Sequence, residues 1–170
     1  MVEILNLYLM REWMTTKEME KFFSLVSELN SLKNKMGFEQ DLLTPGFIKE
    51  VLMGSKLKHY VHRTKHGPDA YLDETESVPF EYLTCKKGGT FQLDRIHEEN
   101  LHRIERNDMF YFGSFNKEDG ITLEEVYEVA TDIVLTEAKN KISKMSESSK
   151  HIGFGLTWVK DNGKLVYESN

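Results

Sequence analysis

An α/β domain, a mixed β-sheet flanked by helices and closed by a C-terminal β-hairpin, is the fold this sequence predicts. Three observations carry the expectation. Apolar residues recur at helical spacing from Lys17 to Met36. Short strand-like runs bounded by Gly, Pro and Asp lie between residues 60 and 90. The run Met109 to Phe115 is almost wholly apolar and aromatic, the composition of a strand covered on both faces.

Taken in order, Thr15 and Glu18 form a capping-box pattern. Met19, Phe22, Val26, Leu29 and Met36 then mark one face of a long helix, and Gly37 ends it. That stripe reads as core, or as a surface that pairs with a second copy of the chain. Phe47, Ile48, Val51 and Leu52 after Pro45 predict a shorter helix from Gly46 to Ser55. Tyr60 to Arg63 reads as a short strand. Asp69 to Asp73 and Val78 to Lys86 form a central hairpin ended by Gly88-Gly89.

Leu93 to Glu105 reads as a helix, with Leu93, Ile96, Asn100, Leu101 and Ile104 on one face and Asn107-Asp108 as its stop. Lys117 to Gly120 is a turn. Thr122 with Glu125 repeats the capping-box pattern and opens a predicted helix through about Met145. Ile152 to Val159 and Lys164 to Tyr167 flank Asp161-Asn162-Gly163, a strong hairpin signal. The expected layout is one domain over residues 1–170. Residues 1–37 form an N-terminal helical segment and possible dimer interface, 38–116 the catalytic core, and 117–170 a long helix and hairpin.

A 39% hydrophobic and 29% charged composition fits a packed globular chain rather than a disordered one. The lone Cys85 excludes a disulfide framework and a cysteine-based zinc site, and leads to the expectation of a reducing, cytoplasmic setting. No apolar run approaches the length of a membrane span, and the first residues lack the order of a signal peptide, so no membrane partner is expected.

The formal net charge of −6, taken alone, argues against a nucleic-acid partner. The distribution of charge argues otherwise. From Lys56 to His66 lie Lys56, Lys58, Arg63 and Lys65 with three histidines and no acid. Lys86 and Lys87, then Arg95, Arg103 and Arg106, follow the central hairpin. Salt limits the reach of distant acids to about 10 Å, so a local basic face can contact phosphate. A solvated mixed-charge surface is the plainer reading of the same residues.

The chemistry centres on Gly67-Pro68-Asp69-Ala70-Tyr71-Leu72-Asp73 and Pro79-Phe80-Glu81-Tyr82-Leu83-Thr84-Cys85-Lys86-Lys87. A turn delivers Asp69 to the start of one strand, and the next strand carries Glu81. Alternation puts Glu81, Leu83 and Cys85 on one face, and Tyr82, Thr84 and Lys86 on the other. Two carboxylates on neighbouring strands suit a hard cation such as Mg²⁺. Such pairs also arise by chance, and Pro-Asp is often only a turn. The six histidines show no zinc-ligand pattern and read as surface or phosphate-adjacent.

These stretches resemble the PD-(D/E)XK nucleases, in particular small homodimeric type II restriction endonucleases of the PvuII type. The resemblance spans about Phe38 to Phe115. It rests on Phe47-Ile48-Lys49-Glu50-Val51-Leu52, Arg63 to Ala70, Phe80 to Thr84, Phe91 to Ile96 and Asp108 to Phe112. It implies a restriction-endonuclease-like fold and a homodimer that hydrolyses double-stranded DNA at a short palindromic site. Mg²⁺ would be the cofactor, and Mn²⁺ able to replace it. Asp69 and Glu81 carry over as metal ligands. Glu50 is a further acid on the preceding helix, with a solvated helix face as its plainer reading. Arg63, Lys65, Lys86, Lys87, Gln92 and Arg95 are the candidate DNA contacts; Gln92 and Arg95 have the chemistry for adenine and guanine edges.

The chain departs from the motif at one position. Where the family has lysine, two residues after the glutamate, this chain has Leu83. A second register, Thr84-Cys85-Lys86, keeps a lysine in Lys86 but loses the glutamate. The first register keeps the metal ligands and is preferred. It leads to the expectation of impaired cleavage, with a catalytically silent DNA-binding protein of the same fold, or an unrelated interaction protein, as the alternatives.

Overall fold

The structure, a computed structural model, describes residues 16–41, 44, 46–64, 66–144 and 151–169. The cap residue Thr15, Pro45, Lys65 and the expected helix end at Met145 lie outside them. The chain divides into two compact units, residues 1–42 and 43–170.

The first unit contains helix α1, Thr16–Lys35. Phe22, Phe23, Leu25, Leu29, Leu32 and Met36 are all exposed along this segment, Phe23 to 61%. Its apolar stripe is therefore not core.

The second unit is a mixed α/β fold. Its elements are α2 (Phe47–Leu57), β1 (Tyr60–Val61), β2 (Ala70–Tyr71), β3 (Pro79–Lys86), β4 (Thr90–Asp94), α3 (His102–Glu105), β5 (Met109–Phe115), β6 (Leu123–Ala130), α4 (Thr131–Ile142), β7 (His151–Gly155), α5 (Leu156–Asn162) and β8 (Lys164–Glu168). Six strands form one sheet in the order β1-β2-β3-β5-β6-β8, and β4 pairs with β7 in a separate two-stranded sheet. β1, β2 and β3 run antiparallel in succession. β3 and β5 are parallel, with Glu81 beside Phe110 and Leu83 beside Phe112. No helix among the described residues is long and apolar enough to cross a membrane.

β5 is the central strand, and Phe110 through Phe115 are buried as its apolar composition predicts. Its two faces feed two cores. On one lie Leu83, Cys85, Phe91, Phe112 and Phe154 with α4 and α5. On the other, α2 sets Met53 against Tyr82, Tyr111 and Val126. Gly113 makes that approach possible, since a Cβ there would come within 2.4 Å of Met53 Sδ.

Three expected elements differ. The predicted helix after Thr122 is strand β6 up to Ala130, and only Thr131–Ile142 is helical. Leu123, Val126, Tyr127 and Val129 are buried, because this segment pairs with β5 on one side and β8 on the other. Thr122 caps no helix. Its hydroxyl donates to Asp119 Oδ2 (2.5 Å) and its N–H to Asp119 Oδ1 (2.9 Å), closing the preceding turn.

The predicted helix Leu93 to Glu105 begins as strand β4, in which Phe91 and Leu93 alternate inward against Phe154 and Ile152 of β7. Arg95 adopts a left-handed φ of 56° and ends that strand; a 3₁₀ turn, Glu98–Asn100, and then the four-residue α3 follow. The C-terminal hairpin is likewise absent. β7 leaves to join β4, α5 intervenes, and β8 joins β6. Asp161-Asn162-Gly163 ends α5 instead of turning a hairpin, with Asn162 Nδ2 donating to Trp158 O at 2.8 Å.

Candidate active site

Where β2 and β3 part, the second unit holds a cavity of about 200 Å³. Acids from four elements line it: Glu50 of α2, Asp69 just before β2, Glu81 of β3, and Asp94 at the end of β4, which pairs with His151 Nδ1 at 2.6 Å. Arg103 and Arg106 from α3 and its C-cap line it too, with Leu83, Gln92, Leu93 and Ile96.

The backbone fixes Asp69. Gly67, at a φ of 116°, turns the chain into Pro68 in a conformation that suits glycine. Asp69 N–H then donates to Phe80 O (3.0 Å), and its carbonyl accepts from His62 N–H (2.9 Å). Its side chain takes over where the β2–β3 ladder stops: Oδ2 accepts the N–H of Tyr82 at 2.8 Å. Asp69 is thus held to the strand that carries Glu81.

Glu81 projects from β3 into the same cavity, its side chain only 19% exposed. Its Oε2 is buried with no hydrogen-bond partner among the described residues. The nearest cation is Arg106, whose Nη2 lies 3.7 Å away, too long for a hydrogen bond. That same Nη2 donates to Gly67 O at 2.9 Å. Arg103 Nη1 reaches the carbonyls of Asp94 and Arg95, both at 3.4 Å.

Burial raises the carboxyls of Glu50, Asp69 and Glu81, and the charge of Asp69 adds to the rise at Glu50 and Glu81. Burial, then the charge of Asp69, raises the Glu50 carboxyl to about 8. Burial raises Asp69 to about 6, against the Tyr82 N–H and Arg106, which favour its ionised form. Glu81 is pushed well up by burial and by Asp69, with Arg106 and Arg103 opposing. Glu50 is therefore not the solvated helix-face acid that its spacing suggests.

Leu83 faces the cavity from the same side of β3 as Glu81, as strand alternation requires, but it is 5% exposed and packs into the core with Phe91, Leu93 and Ile104. Of the other expected site residues, Gln92 lines the cavity from an exposed position on β4. Lys86 and Lys87 do not. Lys86 lies against Gly120, and Lys87 pairs with Glu124 at 3.0 Å. Arg95 is exposed beyond the end of β4, and Arg63 sits over the Tyr60 ring, 5.5 Å from its centroid.

Two features escape the sequence reading. His59 is not a surface residue: it is partly buried, its Nδ1 2.8 Å from the Tyr82 hydroxyl and its ring against Phe80 and Tyr111. Arg103 and Arg106 count in the sequence only as general basic charge. Their spacing of three on a short helix is the signal that they share a face.

Among the described residues no three His, Cys, Asp or Glu side chains are gathered into a preformed metal cage. The donor chemistry nonetheless suits Mg²⁺, which is commonly held by one or two carboxylates and waters rather than by an all-protein cage. Glu81 Oε2, ion-paired with Arg106 but without a hydrogen bond among the described residues, is the oxygen through which such a cation would be held.

Compared with known proteins, the sequence matches no family model and no curated protein.

Proposed function

We propose that this chain is a Mg²⁺-dependent nuclease of the restriction-endonuclease type, acting as a homodimer on duplex DNA at a short palindromic site, with its chemical step slowed by Leu83. The observation that carries the reading is the convergence of Asp69, Glu81 and Glu50 on one cavity beside two arginines. Supporting it is the order of elements: a helix, an antiparallel β1-β2-β3 meander with Asp69 just before β2 and Glu81 on β3, then β4, a short helix, and β5 parallel to β3.

Asp69 and Glu81 would hold the cation, with Glu50 lining the same cavity; Mn²⁺ would serve as well. When bound, the metal supplies a water acidic enough to attack and neutralises charge on the phosphate. The chain's own residues do the rest. The Tyr82 N–H orients Asp69 and leaves its other oxygen to the cavity. Leu83 presents apolar surface where a lysine would steady the attacking water. Gln92, which lines the cavity from an exposed position, would meet a base.

The burial of Leu83 also favours a second reading, in which the same fold binds DNA and metal but does not cut. Supercoiled duplex DNA separates the two. The first reading predicts salt-sensitive binding and slow, metal-dependent nicking that a chelator stops. Binding without nicking at any metal concentration selects the second, and absence of duplex affinity at low salt contradicts both.

Self-association follows from α1. Six exposed large apolar side chains on one short segment are more than a solvated helix needs. Sedimentation at micromolar concentration is expected to give a dimer, and Leu29→Glu to give a monomer that keeps its fold. A parent chain that sediments as a monomer with and without DNA removes the palindrome from the proposal.

A further inference from the structure

We infer that Arg106 is the phosphate-holding cation of the cavity and, without DNA, the competitor of a divalent cation for Glu81. The inference rests on the reading of the cavity as a metal-dependent DNA site. It assigns the cationic role that Leu83 leaves empty to a residue from a different element.

The geometry is specific to Arg106. One of its N–H donors is committed to Gly67 O, two residues before Asp69, and this bond fixes the guanidinium at the cavity. A guanidinium has five N–H donors in a planar fork, so that single anchor leaves most of them available. Its contact with Glu81 Oε2, at 3.7 Å, is an ion pair without a hydrogen bond. Arg106 therefore neutralises Glu81 without satisfying it. The side chain is also 38% exposed, so a ligand approaching from solvent reaches it directly.

Arg103 is a poorer choice. Its terminal nitrogen is shared between the carbonyls of Asp94 and Arg95, and its place is in closing the loop after β4. The backbone beneath Arg106 is firm. Its N–H caps α3 through His102 O and Ile104 O, and the next residue, Asn107, is buried and bonded to Arg103 O and by Thr131. The cation thus stands on a rigid base, with most of its fork available at a cavity whose buried Glu81 Oε2 has no hydrogen bond among the described residues.

A phosphate-holding residue that also opposes a metal has an unusual signature: its removal moves two affinities in opposite directions. In Arg106→Ala, duplex DNA affinity is expected to fall about tenfold. The slope of log affinity against log salt should shrink by about one. Mn²⁺ affinity without DNA, read by electron paramagnetic resonance, should rise roughly three- to tenfold as a repelling charge is lost. Arg106→Lys keeps the charge and should restore the salt slope and the weaker Mn²⁺ binding. A structural role would weaken both affinities together, and that result overturns the inference, as does an Arg106→Ala protein that binds both like the parent. If the parent itself binds neither Mn²⁺ nor duplex DNA, the nuclease reading fails before Arg106 is in question.

Discussion

Leu83→Lys is expected to raise metal-dependent cleavage of duplex DNA by about 10²–10⁴-fold, the usual worth of one positioned catalytic group. Position 83 shares its strand face with Glu81 and lines the same cavity, so an ammonium there lies next to the carboxylate. DNA affinity should change little, while Mn²⁺ affinity without DNA should fall several-fold, because the ammonium repels the cation as Arg106 does. The substitution has a cost in stability. Leu83 is buried among Phe91, Leu93 and Ile104, and losing its packing should destabilise the fold by about 2 kcal/mol. A folded Leu83→Lys protein that binds metal and DNA yet remains inert would contradict the role given to this position. So would fast cleavage by the parent that Lys86→Ala abolishes, since Lys86 lies away from the cavity against Gly120.

The second large effect is a fall in stability as pH rises. Glu50 moves from 4.5 unfolded to about 8 folded, and Asp69 from 3.8 to about 6, each chiefly through burial. Raised carboxyl pKa values mean that the folded state binds more protons than the unfolded state between the two values. The stabilising contribution is whole below about pH 4. It is lost steadily up to about pH 6 for Asp69 and about pH 8 for Glu50. Each unit crossed costs on the order of 1.4 kcal/mol per group. Glu81 adds in the same direction.

Denaturant titrations at pH 5 and pH 8.5 should show several kcal/mol less stability at the higher pH. Glu50→Gln, which cannot titrate, should flatten much of that slope. Mg²⁺ should restore stability at pH 8.5 and do little at pH 5, because it binds the ionised carboxylates. A parent protein equally stable at both pH values would show that these acids are not buried together.

Much of the cavity was legible in the sequence because its acids sit in short, strongly punctuated segments. Gly67-Pro68 sets the turn before Asp69, and period-two alternation on β3 places Glu81 and Leu83 on one face. Met109 to Phe115 announces the central strand by composition alone. The misread segments share one cause: their periodicity is ambiguous until their partners are known. Leu123, Val126 and Val129 fit helical spacing, but pairing with β5 and β8 makes them a strand buried against both cores. Phe91 and Leu93 become a strand only because Ile152 and Phe154 of β7, some 60 residues away, cover them. Arg103 and Arg106 were hidden for a different reason, and Glu50 was named only through the resemblance. Nothing local shows that α2 and α3 bring them to the cavity, since that depends on how both pack against the sheet.

Mn²⁺ titration in the presence of duplex DNA, followed by electron paramagnetic resonance, tests the central claim most directly. It compares the parent with Asp69→Asn and Glu81→Gln. Both variants keep the shape of the side chain, and Asn at 69 can still accept the Tyr82 N–H, so loss of fold is not the expected cause of lost binding. The parent should bind Mn²⁺ in competition with Mg²⁺, and each variant should lose most of that affinity while still melting cooperatively. If both variants bind Mn²⁺ as the parent does, the carboxylates of this cavity do not form a metal site.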